Sequence, residues 1–198
     1  MAAPSRRGRR IGLLGGSFNP AHEGHLHISR LALRRLRLDQ VWWLVSPQNP
    51  LKPRHGMAAY AERIASAEAV VAGERRIKVS DLEVKLGTRY TADTLAALVR
   101  RYRHHRFVWI MGADNLVQIS RWQRWTSIFQ CVPVAVFARP SYSFRALSAK
   151  AARRFARHKV AARMAGRLSM MRPPAWVFLW TRTHAQSATR IRGDGVGG

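Results

Sequence analysis

The sequence predicts an α/β fold, in which a Rossmann-like, doubly wound parallel sheet carries helices on both of its faces. Short apolar segments alternate with helical segments along the 198 residues, as in a series of βαβ units. The apolar segments contain almost no polar residues, which is expected of strands that are covered on both faces. The first of them ends in two glycines before a helical segment, an arrangement in which such sheets bind phosphate.

Each element follows from a local pattern. Helical spacing of apolar residues predicts helices over 24–38, 58–71 and 91–102, with Thr91 as the N-cap of the last. A stripe of apolar residues at every fourth position beside many arginines predicts a further, basic amphipathic helix over 148–168. The six apolar runs that we expect to form strands are 11–14, 41–45, 77–80, 107–111, 132–138 and 176–180.

Residues 1–10 are predicted to be a flexible basic arm, and residues 11–198 one domain. The single cysteine, Cys131, excludes an intramolecular disulfide and a multi-cysteine metal site, and it is expected to be a small core residue. This cysteine usage fits a reducing compartment and predicts a cytoplasmic protein. No apolar run reaches the length of about 18 residues that spans a bilayer.

Lysine and arginine number 35 against 10 aspartates and glutamates, which gives a formal net charge of +25. A charge of this size is typical of proteins that bind nucleic acid. Thirty of the cations are arginines, and they are spread along the chain instead of forming one block. Compositional drift toward arginine and alanine would give the same pattern, so both an electrostatic role and drift remain compatible with the charge.

Residues 15–25, GGSFNPAHEGH, lie where the first predicted strand leads into the first predicted helix. Glycines let a phosphate approach the backbone, and a helix N-terminus offers N–H groups to an anion. His22 and His25 are three residues apart at this helix start, so both could contact one phosphate. The structural alternative is that one histidine caps the helix and the other is solvated. Their spacing does not suit a metal site, and the Gly-Lys-Ser/Thr ending of a P-loop is absent.

This segment resembles the first signature of the nucleotidyltransferase superfamily, a Gly-Gly turn followed by Phe, Pro and His-x-Gly-His. Residues 187–192, SATRIR, are similar to its second signature, Ser-x-Thr-x-x-Arg. The resemblance covers nearly the whole chain and implies a sheet of the nucleotidyltransferase type. The segments that resemble one member family, the bacterial nicotinate-nucleotide adenylyltransferases, are 47–52, 90–95, 112–114 and 122–125.

The resemblance implies transfer of the adenylyl group of ATP to nicotinate mononucleotide, which gives deamido-NAD and pyrophosphate by in-line attack without a covalent intermediate. It implies Mg²⁺ held mainly by the ATP phosphates, with no protein metal ligands. His22 and His25 would be the catalytic residues that hold the ATP phosphates, and His25 would act on the transition state. The further ATP-binding residues that it implies are Gly15, Gly16, Ser17, Phe18, Arg139, Ser187, Thr189 and Arg192.

On the acceptor side, Trp122 would stack on the pyridine ring, and backbone N–H groups near Thr91 and Gln123 would bind the nicotinate carboxylate. Structural alternatives exist: Asp93 suits a first helical turn, and Asp114 suits a helix cap. Trp122 and Trp125 are predicted to share one helical face, where Trp125 packs in the core. The implied residues that bind nicotinate mononucleotide are Lys52, which could equally be solvated, Thr91, Asp93, Asp114, Trp122 and Gln123.

Two other functions are compatible with the sequence. An enzyme of the same superfamily could adenylylate nicotinamide mononucleotide or another phosphate acceptor. A basic RNA-binding protein on this scaffold would bind RNA with a steep salt dependence and release no pyrophosphate. The expected partners are ATP and nicotinate mononucleotide, with no membrane partner and only weak, nonspecific RNA binding. We expect a monomer or a weak homo-oligomer.

Overall fold

A computed structural model of the chain describes residues 8–47, 56–139 and 142–180. These residues contain a seven-stranded sheet in which every strand pair is parallel. The order of its strands is β3-β2-β1-β4-β5-β7-β6. The strands are β1 (Arg10–Gly16), β2 (Gln40–Val45), β3 (Ile77–Ser80), β4 (Arg106–Gly112), β5 (Val134–Phe137), β6 (Lys159–Val160) and β7 (Trp176–Leu179).

All six predicted strands are confirmed, and the short β6 is an addition. None of the helices in the described ranges is long and apolar enough to cross a membrane. The α-helices are α1 (Glu23–Arg35), α2 (Tyr60–Val70), α3 (Leu82–Lys85), α4 (Thr91–Arg101), α5 (Ala113–Gln118), α6 (Trp125–Cys131), α7 (Ser143–Leu147) and α8 (Lys150–Arg154). The described part of the chain also contains 3₁₀ helices at Ile119–Arg121, Ala156–His158 and Ala162–Met170.

The strands are apolar because the sheet is covered on both faces. Leu13 and Trp109 pack in one buried cluster with residues of α4, α5 and α6. Their neighbours Leu14 and Ile110 pack in a second cluster with residues of α1 and α2. Alternate residues of one strand therefore serve opposite layers, which confirms the doubly wound architecture.

The strand order predicts a ligand crevice beside β1. The chain builds β2 and β3 on one side of β1 and then returns to add β4 on its other side. In open α/β sheets, ligands bind outside the carboxyl ends of the strands at such a reversal. Gly16 is in register with Val45, and Leu14 with Ile110. The segments that follow β1, β2 and β4 consequently meet at one edge of the sheet.

The predicted helix over 148–168 is wrong. That stretch consists of α8, two 3₁₀ helices and β6. Phe155, which lies outside the predicted stripe, is buried; its ring stacks on Phe129 at 4.4 Å, and its carbonyl accepts a 2.8 Å hydrogen bond from Trp176 Nε1. Val160 pairs with Val177 at the edge of the sheet. A stripe containing two alanines offers little apolar area, so tertiary packing overrides the helical periodicity.

Two smaller predictions also need correction. Arg10, assigned to the flexible arm, is the first residue of β1, where its backbone N–H and its guanidinium both donate to Asp39. Thr91 is the first residue of α4, and the N-cap position belongs to Tyr90. Neither change moves an element of the sheet.

Candidate active site

The turn between β1 and α1 is fixed by bonds to two other segments. The Gly16 carbonyl accepts a hydrogen bond from Ser46 N at 2.9 Å, and the Ser17 carbonyl accepts one from Arg63 Nη1 at 2.7 Å. Phe18 has a left-handed backbone with φ of 46°, which is rare for a side chain of this size. Its buried ring stacks on Trp43, with ring centroids 4.9 Å apart. Burial of the ring therefore holds the turn in this conformation.

Both signature histidines take part in capping α1. The N-cap residue His22 accepts a hydrogen bond from Gly24 N through Nδ1 at 3.0 Å. His25 lies at the third helical position, and its Nδ1 accepts from His22 N at 3.3 Å. Because Nδ1 is the acceptor in each neutral ring, Nε2 carries the hydrogen and is the donor. The ring centroids are 3.9 Å apart, so capping and a shared phosphate site are compatible.

The structure gives the two glycines of the turn different environments. A Cβ on Gly15 would lie 2.3 Å from Cη2 of the buried Trp109 indole. A Cβ on Gly16 would lie 3.4 Å from the Phe18 ring, which is ordinary van der Waals contact. Packing alone therefore requires a glycine at position 15, whereas position 16 has room for a methyl group.

We expect Gly15→Ala to lower the free energy of unfolding by about 1–3 kcal/mol, because a methyl group would overpack against a rigid indole. Gly16→Ala is the matched control and is expected to change this quantity by less than about 1 kcal/mol. Urea denaturation of both variants measures the difference. An equal loss in the two variants would contradict the packing role of Gly15. Weaker ATP binding in a stable Gly16→Ala variant would identify the glycine that phosphate approach requires.

Arg63 on α2 is a buried cation that sequence reasoning missed. Its side chain is 2% exposed, and burial lowers its pKa from the ordinary value. Its Nη1 also donates to Ser46 O at 2.7 Å, Nη2 donates to Pro47 O at 2.8 Å, and Nε donates to Ala58 O at 3.2 Å. No local pattern distinguishes it from the arginines that face solvent, since its partners are carbonyls of distant segments.

Glu83 on α3 is a second buried charged group beside the same loop. It is 6% exposed, and its carboxylate is hydrogen bonded by the Ser46 side chain. Burial raises the pKa of Glu83 to about 7, although the bond from Ser46 opposes this shift. The first residue after β2 is thus bonded through its carbonyl to Arg63 and through its side chain to Glu83.

Asp114 and Arg139 are brought together at the ends of β4 and β5. Arg139 Nε lies 3.2 Å from Asp114 Oδ1, an ion pair without hydrogen-bond alignment. A Cβ on Gly112 would lie 2.4 Å from Asp114 Oδ1 and 2.7 Å from Arg139 Nε, so the glycine permits their approach. Gly112 is the N-cap of α5 and Asp114 is in its first turn. The alternative of Asp114 as the helix cap is therefore wrong.

Two segments that contain predicted acceptor-side residues lie close together where α4 begins. Asp93, in the first turn of α4, forms an ion pair with Arg124, which ties Thr91 and the helix start to the turn 122–124. The prediction that Trp122 and Trp125 share one helical face is wrong. Trp122 has an extended backbone with ψ of 145°, and the following Arg124 is left-handed with φ of 49°. The turn breaks the helix, so the two indoles lie in different elements.

Trp125 packs against the core as predicted, in edge contact with Phe129 and Phe155, and is itself half-buried. Trp122 and Cys131 are half-buried at the border of the same cluster, and the exposed Gln123 follows Trp122. Burial raises the pKa of the Cys131 thiol, which suits a packing role. Four predicted site residues lie outside the described ranges: Lys52, Ser187, Thr189 and Arg192.

A basic cleft lies apart from these residues, at the C-terminal end of α1. Its cavity of about 620 Å³ contains no residue predicted for the substrates. The arginines that line it come from α1, from the residue Arg37 beyond it and from the 3₁₀ helix Ala162–Met170; they are Arg34, Arg35, Arg37, Arg163 and Arg167.

This chain is similar in sequence to a known protein family and to proteins that share one name. A profile of the family described as Cytidylyltransferase-like matches residues 13–194. A protein of Parvibaculum lavamentivorans named "Probable nicotinate-nucleotide adenylyltransferase" is 54% identical over 188 residues, or 95% of this chain and 93% of that protein. A protein of the same name from Bradyrhizobium sp. (strain ORS 278) is 56% identical over 183 residues, or 92% of this chain and 95% of that protein.

Solved structures give the same fold. The nicotinic acid mononucleotide adenylyltransferase of Plasmodium falciparum, in its complex with NaAD, has a TM-score of 0.68 to this chain, over 93% of this chain and 83% of that one. In its complex with APC, the TM-score is 0.66 over the same shares of the two chains. The sequence identity in both comparisons is 14%. The likeness therefore concerns the fold, and it confirms the predicted class.

Proposed function

The chain belongs to the nicotinate-nucleotide adenylyltransferase family, and on this premise we propose how its residues share the reaction. The protein transfers the adenylyl group of ATP to nicotinate mononucleotide, which gives deamido-NAD and pyrophosphate in NAD biosynthesis. The structural observation that carries the proposal is the pair of histidine rings that cap α1 at the point where the strand order reverses.

His22 and His25 donate through Nε2–H to phosphate oxygens of ATP. The mononucleotide phosphate attacks the α-phosphorus, the bond to the bridging oxygen breaks, and pyrophosphate leaves with the electron pair. Because both nucleophile and leaving group come from the substrates, the protein supplies alignment and fixed donors for the growing charge. His25 acts on the transition state, and backbone N–H groups over 16–18 support the phosphates.

A divalent metal serves this reaction in the family, and we propose Mg²⁺. In the described ranges, no group of three or more His, Cys, Asp or Glu residues is arranged to hold a metal ion. We propose phosphate oxygens and water, which Mg²⁺ accepts readily, as its ligands. When bound, the metal neutralises charge on the phosphates. Ser187, Thr189 and Arg192 are proposed to bind the leaving pyrophosphate.

The acceptor site is proposed at the start of α4 and the turn 122–124. The Asp93–Arg124 ion pair holds these two segments together, which supports a pocket formed by Thr91, Trp122 and Gln123. Trp122 stacks on the pyridine ring, and Lys52 contributes to phosphate binding. The Asp114–Arg139 pair joins a residue proposed for the acceptor to one proposed for ATP.

The test is pyrophosphate release by the purified protein with ATP and Mg²⁺, using nicotinate mononucleotide and nicotinamide mononucleotide as separate acceptors. We expect the acid to be the better acceptor. Equal or higher turnover on the amide would favour the other acceptor class, and no release with either would contradict the function.

The positive charge is expected to give weak RNA binding, with a dissociation constant of about 10⁻⁴–10⁻⁶ M at physiological salt and no sequence preference. We expect the RNA to bind in the basic cleft. Replacing Arg35, Arg163 and Arg167 together by glutamine should weaken binding of a labelled homopolymeric RNA more than replacing Arg100, Arg101 and Arg103, which removes the same charge from the end of α4. Tight, sequence-specific binding that persists at high salt would favour the RNA-binding alternative.

A further inference from the structure

We propose that Arg63 is a positioning residue that fixes two segments relative to each other. They are the phosphate-binding turn after β1, which contains Ser17, and the start of the acceptor-side loop after β2, at Ser46 and Pro47. This inference rests on the proposed function, because it assigns those two segments to the two substrates. Three of the four carbonyls that accept from Arg63 belong to them: Ser17 in the turn, and Ser46 and Pro47 after β2. The fourth, Ala58, lies just before α2.

Stability alone is a poor reason for this arrangement. A buried cation loses its hydration, and an apolar side chain of similar volume often gives equal or greater stability. None of the ion pairs among the described residues includes Arg63, so carbonyl dipoles balance its charge. The planar guanidinium, with five N–H donors in fixed directions, can join several carbonyls in one geometry. Such a group specifies the relative position of the segments it joins.

The bond to Ser17 also orients the donors of the turn. A trans peptide unit is planar, and its C=O and N–H point in opposite directions. The carbonyl of Ser17 shares a peptide unit with the N–H of Phe18, so the bond from Arg63 Nη1 fixes the direction of that N–H. The bond from Ser46 N to Gly16 O fixes the Ser17 N–H in the same way. These are N–H groups proposed to bind the ATP phosphates.

The same Nη1 atom contacts both substrate segments, since it donates to Ser17 O and to Ser46 O at 2.7 Å each. Pro47, bound by Nη2, begins the segment 47–52 that contains the proposed acceptor residue Lys52. In-line attack requires the acceptor phosphate and the α-phosphorus to be placed accurately, and an error of about 1 Å can cost about 10²-fold in rate. Arg63 thus acts on the distance between donor and acceptor without touching either substrate.

The test compares Arg63→Lys with Tyr60→Phe in the full chain. Lysine keeps the charge but cannot reach four carbonyls from one ammonium. We expect kcat/KM for ATP to fall by about 10²-fold, with a lower kcat and a higher KM. Tyr60 lies on the same helix as Arg63. Tyr60→Phe removes the 3.2 Å hydrogen bond from the Tyr60 hydroxyl to Val45 O. It should lower Tm while kcat and KM stay within about twofold of wild type. A folded Arg63→Lys variant with wild-type kcat and KM would overturn the proposal.

A measurement on the wild-type protein covers the case in which Arg63→Lys does not fold. In ¹⁵N-labelled protein, the Nε–H signal of Arg63 should be protected from exchange with water, in contrast to that of the exposed Arg100. Addition of Mg²⁺ and α,β-methylene-ATP should shift the Phe18 amide signal. Fast exchange of the Arg63 Nε–H or an unshifted Phe18 amide would overturn the proposal. Wild-type turnover tests the proposed function separately, so the two failures are distinguishable.

Discussion

Replacing His25 by alanine is expected to lower kcat by about 10²–10³-fold, which is typical for loss of one preorganised donor to a transition state. The His25 ring lies against His22 at the start of α1, with Nδ1 bonded to His22 N, so Nε2–H is its donor toward phosphate. KM for ATP should change less than kcat if the bond strengthens in the transition state. Steady-state pyrophosphate release measures both quantities.

The alanine variant also loses a helix cap, so a second variant is needed to separate catalysis from stability. Glutamine is favoured at the third helical position of a capping box, where its side chain accepts from the N-cap N–H. We expect His25→Gln to keep the wild-type Tm and still lose kcat. His27→Ala, two residues along α1, is the matched control and should keep kcat. Near-normal turnover in a folded His25→Gln variant would remove His25 from the mechanism.

The sheet could be predicted because its strands are buried on both faces. In β4 and β5 nearly every residue is apolar. These strands can therefore be recognised without an alternation of polar and apolar residues. The turn 15–25 could be predicted because glycine, proline and histidine occur there in a fixed order beside a strand. The parallel arrangement of the strands could be predicted from the alternation of strands and helices along the chain. The order of glycine, proline and histidine in the turn 15–25 predicted the function better than the net charge of +25 did.

The errors occurred where tertiary contacts decide the local structure. Phe155 stacks on Phe129, which comes from a helix distant in sequence, and α8 ends directly before Phe155, after five residues. Arg124 adopts a left-handed backbone beside its ion pair with Asp93, and the turn separates Trp122 from the next helix. Neither contact has a signature in neighbouring residues, so periodicity alone predicted longer helices in both places.

The site residues that we predicted from the sequence are those proposed to touch a ligand, whereas buried charged residues beside them were missed. His22, His25 and Asp114 belong to short recognisable motifs. Arg63 donates to carbonyls of other segments, and Glu83 is bonded by the Ser46 side chain, and no local sequence pattern marks either residue. Buried charges of this kind become visible only when the packing around them is known.

Glu83 should make the stability of the protein depend on pH. Its pKa is about 7 in the folded state against an ordinary value of 4.5. Between these values the folded state holds one proton more than the unfolded state, so the free energy of unfolding falls as the pH rises. The contribution is complete below pH 4.5, is lost through pH 7 and is constant above it. Its full size is about 3 kcal/mol.

Glu83→Gln removes this proton linkage while keeping the size of the side chain. The free energy of unfolding of the variant, minus that of the wild type, is expected to increase by about 3 kcal/mol from pH 4.5 to pH 7.5, as measured by urea denaturation at each pH. Glu62→Gln, at an exposed carboxylate on α2, is the matched control for the same change of residue type. A difference that stays flat with pH would show that the Glu83 carboxyl is ionised in the folded protein. Ser46 would then have to stabilise a buried carboxylate beside the loop that Arg63 also holds. This part of the site would contain two opposite charges instead of the single positive charge of Arg63.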